Sequence, residues 1–205
     1  MKVVLISFHK NLGRYPKKWI DDYKDSILSQ TYKDFDIFEL NYGLGEERIF
    51  DNSYFESLNL QDHAQAHNYL LQKCFSLGYE LILNSNIDDK YPLDRIKLQV
   101  EIFDPEISVI SGNYTSFSDE RDIIHTTNFD KLFISKEFSS NHNIIAHPAC
   151  GYTRKILDYN EELRSEEIAS DDFCMWKRLL SKGAKFKILP NVLLYYRISE
   201  LKTKA

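Results

Sequence analysis

Glycine is scarce in this chain, seven in 205 residues, and none falls in a G-x-G-x-x-G or Walker pattern. That excludes a phosphate cradled by a glycine-rich backbone loop and weighs against a dinucleotide-binding fold. No G-x-S-x-G elbow occurs, so the hydrolase nucleophile turn is absent too. Cysteine is equally sparse. Cys74, Cys150 and Cys174 form no C-x-x-C pair, and an odd count is no disulfide framework; they read as reduced thiols in a cytoplasmic protein. No run approaches the roughly 20 apolar residues of a membrane span, and the apolar start at 3–6 is too short for a signal-peptide core. Basic residues form no tract, and the net charge is −5. A nucleic-acid partner, which needs a Lys/Arg footprint, is therefore not expected. A nucleotide ligand stays open, because a bound metal can neutralise a diphosphate locally.

What is present is a globular composition, 43% hydrophobic, in a chain long enough for one core or two fused half-domains. Residues 1–7 read as a buried strand. Pro16 opens a helix whose apolar face is Trp19, Ile20, Tyr23, Ile27 and Leu28. A strand over 35–40 ends in the turn Asn41-Tyr42-Gly43. Residues 45–59 read as an irregular polar surface loop. A helix over 61–77 stops at Gly78, a strand follows over 79–84, and Pro92 opens a helix with Leu93, Ile96, Val100 and Phe103 inward. A strand over 107–110 completes β-α-β-α-β-α-β, which implies a parallel sheet wrapped by helices. From 113 to 154 the pattern is strand and loop. A helix over 171–182 follows, with Ser170 as N-cap and Gly183 as stop, then two short strands at 185–189 and 192–197. The expected fold class is α/β: one domain, with a nucleotide-binding half over 1–112 and a mixed acceptor-side half over 113–205.

Three constellations could carry chemistry. Asn86-Ile87-Asp88-Asp89 directly follows an apolar strand, and ligands of parallel sheets gather beyond strand carboxyl ends. An acidic pair there can hold a hard cation through oxygen; taken alone, it reads equally as an Asp-rich turn before the Pro92 helix. Ser170-Asp171-Asp172 opens an amphipathic helix on which Phe173, Trp176 and Leu180 point inward. One carboxylate there can face a cleft as a general base, although acids at a helix N-terminus also simply complement the macrodipole. Tyr195-Tyr196-Arg197 ends the last strand; its Arg can meet phosphate oxygens or sit at an exposed edge. His63 and His67 have zinc-like i, i+4 spacing, but nothing completes a ligand set, so both read as helix-surface residues. His142 and His147 stay ambiguous.

Together and in order, these features resemble glycosyltransferase family 2, an inverting family of GT-A fold. Ser26-Ile27-Leu28-Ser29-Gln30-Thr31-Tyr32-Lys33-Asp34-Phe35 is the most specific match, close to that family's S-v-L-x-Q-T-Y-k-d-f stretch. Ala66-His67-Asn68 resembles its A-R-N, Asn86-Ile87-Asp88-Asp89 its D-A-D-D, Asp171-Asp172-Phe173 its E-D-Y, and Tyr196-Arg197 its terminal Y-R. The resemblance implies Asp88 as the metal carboxylate for Mn²⁺ or Mg²⁺ and Asp172 as catalytic base. Ser7, Phe8 and Asn41 end two neighbouring strands and so should line the base and ribose pocket; with Asn86, Asp88 and Arg197 they make up the expected donor-binding set. Asn86 and Asn41 stand where the family has Asp, and Ser199 where it has a metal-binding His. The implied partners are a nucleotide-sugar donor, by preference a UDP-sugar, and a saccharide, glycoprotein or glycolipid acceptor; the chain can be a module of a longer protein. Mobile segments over 45–59 and 138–143 would exclude water. Two rivals remain: a non-catalytic sugar-binding domain, and a nucleotidyltransferase, against which the Phe8-His9-Lys10-Asn11 segment stands because it is no triphosphate loop.

Overall fold

Alternation along the first strand determines how the molecule is layered. In β1 (Val3–His9), Val4 and Ile6, with Phe8, pack into one apolar cluster, while Val3 and Leu5 pack into another; successive side chains of a strand point to opposite faces. The first cluster takes in Leu70, Cys74 and Phe75 of helix α2 (His63–Ser76) and Met175, Trp176 and Leu179 of α4 (Asp171–Ser181). The second takes in Tyr23 and Ile27 of α1 (Lys17–Leu28) and Ile96 of α3 (Arg95–Glu101). The sheet is thus covered on both faces, as parallel strands require. The computed structural model describes residues 1–120, 123, 125–128, 143, 145–167 and 171–199.

β1 pairs in parallel with β2 (Asp36–Asn41) on one side and β4 (Leu81–Asn84) on the other, and β2 in parallel with β3 (Tyr54–Ser57). Beyond β4 the sheet is mixed. β7 (Gly151–Thr153) lies between β4 and β5 (Val109–Phe117), antiparallel to both. β5 also pairs antiparallel with β6 (His125–Thr126) and parallel with β8 (Phe186–Arg197). The α/β class with a mainly parallel sheet is as the sequence indicates.

Four local expectations are corrected. Leu28 and Leu93 are exposed: the inner face of α1 is the narrower stripe Trp19, Tyr23 and Ile27, and α3 begins at Arg95, leaving Leu93 in the preceding turn. The stretch 45–59 is no free polar loop, because it contains β3 and buries Ile49 and Phe50. Their backbone N–H groups donate to the buried Glu39 carboxylate at 2.6 and 3.2 Å. The last two strands are one, β8; Pro190 sits opposite a register irregularity at Gly112–Asn113 and its carbonyl accepts from Asn113, a position where a missing N–H costs little. Ser170 lies outside the described residues, as do 138–142, including His142, of the stretch 138–143.

Gln30 shows why the most specific stretch of the sequence has its composition. Buried at the end of α1, it donates to the carbonyls of Ser26 and Pro92 and accepts from the Ile96 N–H, while Thr31 bonds the Leu93 carbonyl and Asp94. It ties α1 to the start of α3 and so brackets the acidic loop between β4 and α3. Among the described residues no helix is long and apolar enough to cross a membrane.

Candidate active site

The parallel strands β1, β2 and β4 end on one side of the sheet, and a cleft of about 760 Å³ opens there. Its walls include Phe8 after β1, Tyr42 after β2, and Asn86, Ile87 and Asp88 after β4. Opposite them stand Asp171 and Asp172 at the start of α4, with His63, Asn143 and His147, while Tyr114 and Tyr196 come from β5 and β8. The topology therefore brings together the two acidic features that the sequence separates by more than 80 positions.

The acidic loop is held rigidly. Asn86 donates its backbone N–H to the Tyr91 hydroxyl at 2.7 Å, and Ser85 bridges the Tyr23 hydroxyl and the Ile6 carbonyl. The adjacent aspartates divide their roles. Asp89 is fully buried and accepts the Arg197 backbone N–H at 2.9 Å, whereas Asp88 lines the cleft. Among the described residues no group of three His, Cys, Asp or Glu side chains gathers as a metal cage. Mg²⁺-like cations commonly use one or two carboxylates together with substrate phosphates. Asp88 offers the cleft one carboxylate, the number such a cation can use alongside a phosphate-bearing ligand.

Arg197 requires a correction. It is neither an exposed edge residue nor a phosphate ligand lining the cleft; it is fully buried. Its guanidinium bonds Asp22 at 2.9 Å, the Asp88 carbonyl at 2.8 Å, and Asp119, and it lies over the rings of Trp19 and Phe117. It clamps the acidic loop to α1 and β8.

Ser7 and Asn41 are corrected by the same alternation that layers the fold. Both are buried and neither lines the cleft. Phe8 and Tyr42, one residue further along each strand, are the side chains that face it. Asn41 instead accepts from the Gly43 N–H at 2.9 Å and so shapes the turn; a Cβ on Gly43 would collide with the Lys10 carbonyl. Asn86 and Phe8 do line the cleft.

At the other wall, both Asp171 and Asp172 face the cleft, where the sequence pattern called for one carboxylate. Asp171 accepts from His63 Nε2 at 2.6 Å and from the Asp172 N–H at 2.9 Å. Burial would raise its carboxyl, but the His63 hydrogen bond and charge outweigh that and hold it below the usual range. The same hydrogen bond raises His63. Asp172 accepts from Asn143 Nδ2 at 2.9 Å and from the Phe173 N–H at 2.7 Å. His67 is not the helix-surface residue expected from its spacing: it is fully buried, and its Nε2 lies 3.3 Å from His147 Nε2. Burial pushes both imidazoles down, His67 well below the ordinary value and further so by its neighbour. Sequence periodicity misses His67 because a lone His on an amphipathic helix carries no mark of burial.

These shifts predict opposing pH terms. His67 and His147 take up protons more readily unfolded, so their contribution is complete above about pH 6.5 and is lost as pH falls further. His63, raised, contributes below about pH 6.5 and loses that as pH rises through its folded value. Urea unfolding from pH 5 to 8 should show a stability loss at the acid end that is shallower in His67→Phe and steeper in His63→Gln. A His63→Gln profile flat between pH 5 and 6.5 would contradict the buried-pair term, because that variant lacks the opposing contribution.

No protein-family model matches the chain. The O-antigen biosynthesis glycosyltransferase WbnJ of Escherichia coli is 24% identical over 213 residues, covering 98% of this chain and 82% of that protein. The crystal structure of S. aureus TarS 1–349 in complex with UDP superposes with a TM-score of 0.72 at 14% identity, over 97% of this chain and 61% of that one. The mannosyltransferase PcManGT from Pyrobaculum calidifontis, in complex with GDP-Man and Mn²⁺, gives 0.67 at 13% identity, over 97% of this chain and 57% of that one. The fold is the GT-A fold. The chain spans about 60% of the length of these solved chains.

Proposed function

We propose that this chain is the catalytic domain of an inverting glycosyltransferase, moving a sugar from a nucleoside-diphosphate sugar, by preference a UDP-sugar, to an acceptor hydroxyl. One observation carries the reading: the Asn86–Asp88 loop and the Asp171–Asp172 helix start face one cleft at the strand ends of a GT-A sheet. Residues 1–112 supply the donor side, with Phe8 and Tyr42 offering aromatic faces to the nucleoside and Asn86 a neutral hydrogen-bonding side chain to it. Residues 113–205 supply the acceptor side. The likeness to WbnJ and to nucleotide-sugar complexes of TarS and PcManGT supports sugar transfer.

Asp88 would hold Mn²⁺ or Mg²⁺ together with the donor diphosphate; such an ion offsets charge on the departing nucleoside diphosphate. Asp172 takes the proton of the acceptor hydroxyl as its oxygen attacks the anomeric carbon and the nucleoside diphosphate leaves, a single displacement that inverts configuration. Asp171, paired with His63 and the Asp172 N–H, holds the helix start rather than receiving that proton. The free thiols fit a reducing cytoplasmic setting.

Thermal shift tests the reading. UDP with Mn²⁺ at 100 times its dissociation constant should add about 2.7 kcal/mol, and chelator or Asp88→Ala should remove the metal-dependent part while leaving the apo Tm unchanged. Equal shifts with and without metal, in both proteins, would refute the metal assignment. A sugar-binding domain without catalysis would be stabilised by UDP-sugars yet release no UDP.

A further inference from the structure

The mechanism above leaves one buried pair unused. His67, on α2, is fully buried and shares an Nε2···Nε2 contact of 3.3 Å with His147, which lines the cleft beside Asp171 and Asp172. Rings close around the pair: Phe8 and Tyr152 lie 6.2 and 5.4 Å from His67, and Trp176 lies 5.8 Å from His147. The backbone of His147 is fixed as well, its carbonyl accepting from Asn84 Nδ2 and from the Cys150 N–H. A ring needed only for packing requires no nitrogen, and phenylalanine would serve. Here His67 Nδ1 is buried and no hydrogen-bond partner lies in geometry with it; the neighbouring Asn68 amide is turned to the Leu163 backbone, donating to its carbonyl and accepting from its N–H. Such an orphan costs stability, so the Nε2 contact is the feature that packing does not explain.

The orphan also decides the tautomer. Two neutral imidazoles sharing one hydrogen bond need one donor and one acceptor. Buried N–H groups without partners are rarer than under-used acceptors. His67 therefore keeps its proton on Nε2 and leaves a lone pair at Nδ1. His147 Nε2 then accepts, which puts the second proton on His147 Nδ1, the ring nitrogen left for the cleft. We propose that His147, held in this tautomer by His67, presents its Nδ1–H as a hydrogen-bond donor to an oxygen of the acceptor saccharide. The proposal rests on the glycosyltransferase reading of the cleft. It takes the acceptor side because the group that deprotonates the acceptor hydroxyl, Asp172, stands on the same wall. An uncharged donor suits a hydroxyl or ring oxygen, whereas a diphosphate would favour a cation. His67 is a positioning residue that acts through His147.

Two readouts test this. Long-range ¹H–¹⁵N spectra of the histidine-labelled chain at pH 7.5 should show His67 protonated at Nε2 and His147 at Nδ1. Titration with methyl β-D-glucoside and methyl β-D-galactoside should shift the His147 Nδ1–H resonance. His147 protonated at Nε2, or no shift with either glycoside, would overturn the proposal whatever the enzyme turns over. With UDP-GlcNAc as donor and these glycosides as acceptors, His147→Phe should raise the acceptor KM roughly fivefold to tenfold, the scale of one hydrogen bond, without moving the donor KM. His147→Asn, whose amide nitrogen lies near the Nδ1 position, should restore it, and His147→Gln should not. For His67, Gln keeps a donor near Nε2 and should be tolerated where Phe is not. Asn and Gln behaving alike at 147 would contradict the proposal. A wild-type chain that releases no UDP, yet shows the expected tautomer and glycoside shift, would count against the transfer reading with this donor and leave the His147 site standing.

Discussion

Asp172→Asn should lower turnover by roughly 10²–10⁴, the range for losing a general base, while donor and metal binding survive. The substitution keeps the side-chain shape, but Asp172 accepts from Asn143 through one oxygen and from the Phe173 N–H through the other. An amide keeps only one acceptor, so one of these bonds is lost at a cost of about 1 kcal/mol, which the fold can absorb. What disappears is the charge proposed to receive the acceptor proton. Asp171→Asn should cost less. Its oxygens are committed to His63 and to the Asp172 N–H, so its loss loosens the helix start without removing the proton acceptor. The comparison is informative because both carboxylates face the same cleft, and exposure alone does not separate them. Initial rates of UDP release, with donor affinity measured by calorimetry on the same preparations, check the order. An Asp172→Asn enzyme within a few-fold of wild type, or an Asp171→Asn enzyme that is the more damaged of the two, would move the base to the other residue.

The two acidic features were legible because a strand followed by Asp-rich sequence, and an amphipathic helix opened by two Asp, are local patterns. Their convergence needed the parallel order of β2, β1 and β4, which β-α-β alternation implies. Two of the errors share one cause: period-2 alternation turns a one-residue offset into the opposite face. Ser7, Phe8 and Asn41 were chosen because they end two neighbouring strands, and of these Phe8, joined by Tyr42, lines the cleft. The buried histidine pair was illegible for another reason. His67 and His147 are 80 positions apart, and no local pattern marks either ring as buried. The short strand β3 left a faint signal in Tyr54-Phe55, and the buried stretch before it one in Ile49-Phe50, both masked by the surrounding charge.

Arg197→Met should destabilise the protein by about 3 kcal/mol, at the lower end of the 3–5 kcal/mol for breaking a buried charged pair. For a chain of this size that corresponds to roughly 6–12 °C in Tm. The lower end is chosen because Asp22 and Asp119 retain 26% and 39% side-chain exposure, so water partly compensates them once the guanidinium is gone. Methionine fills part of the space between Trp19 and Phe117, which keeps the effect from being a cavity alone. Arg197→Lys separates charge from geometry. An ammonium retains the charge but cannot reproduce the planar fork that reaches Asp22, Asp119 and the Asp88 carbonyl together. It should recover part of the stability while leaving the Asp88 carbonyl without its donor. Because that carbonyl belongs to the residue proposed to hold the metal, both variants should also weaken metal-dependent UDP binding, with a smaller effect on UDP alone. Denaturant unfolding gives the first quantity, and UDP titrations with and without Mn²⁺ give the second. A Met variant as stable as wild type would show that the buried network contributes nothing net. Destabilisation with metal-dependent affinity intact would show that the clamp serves the fold and not the acidic loop.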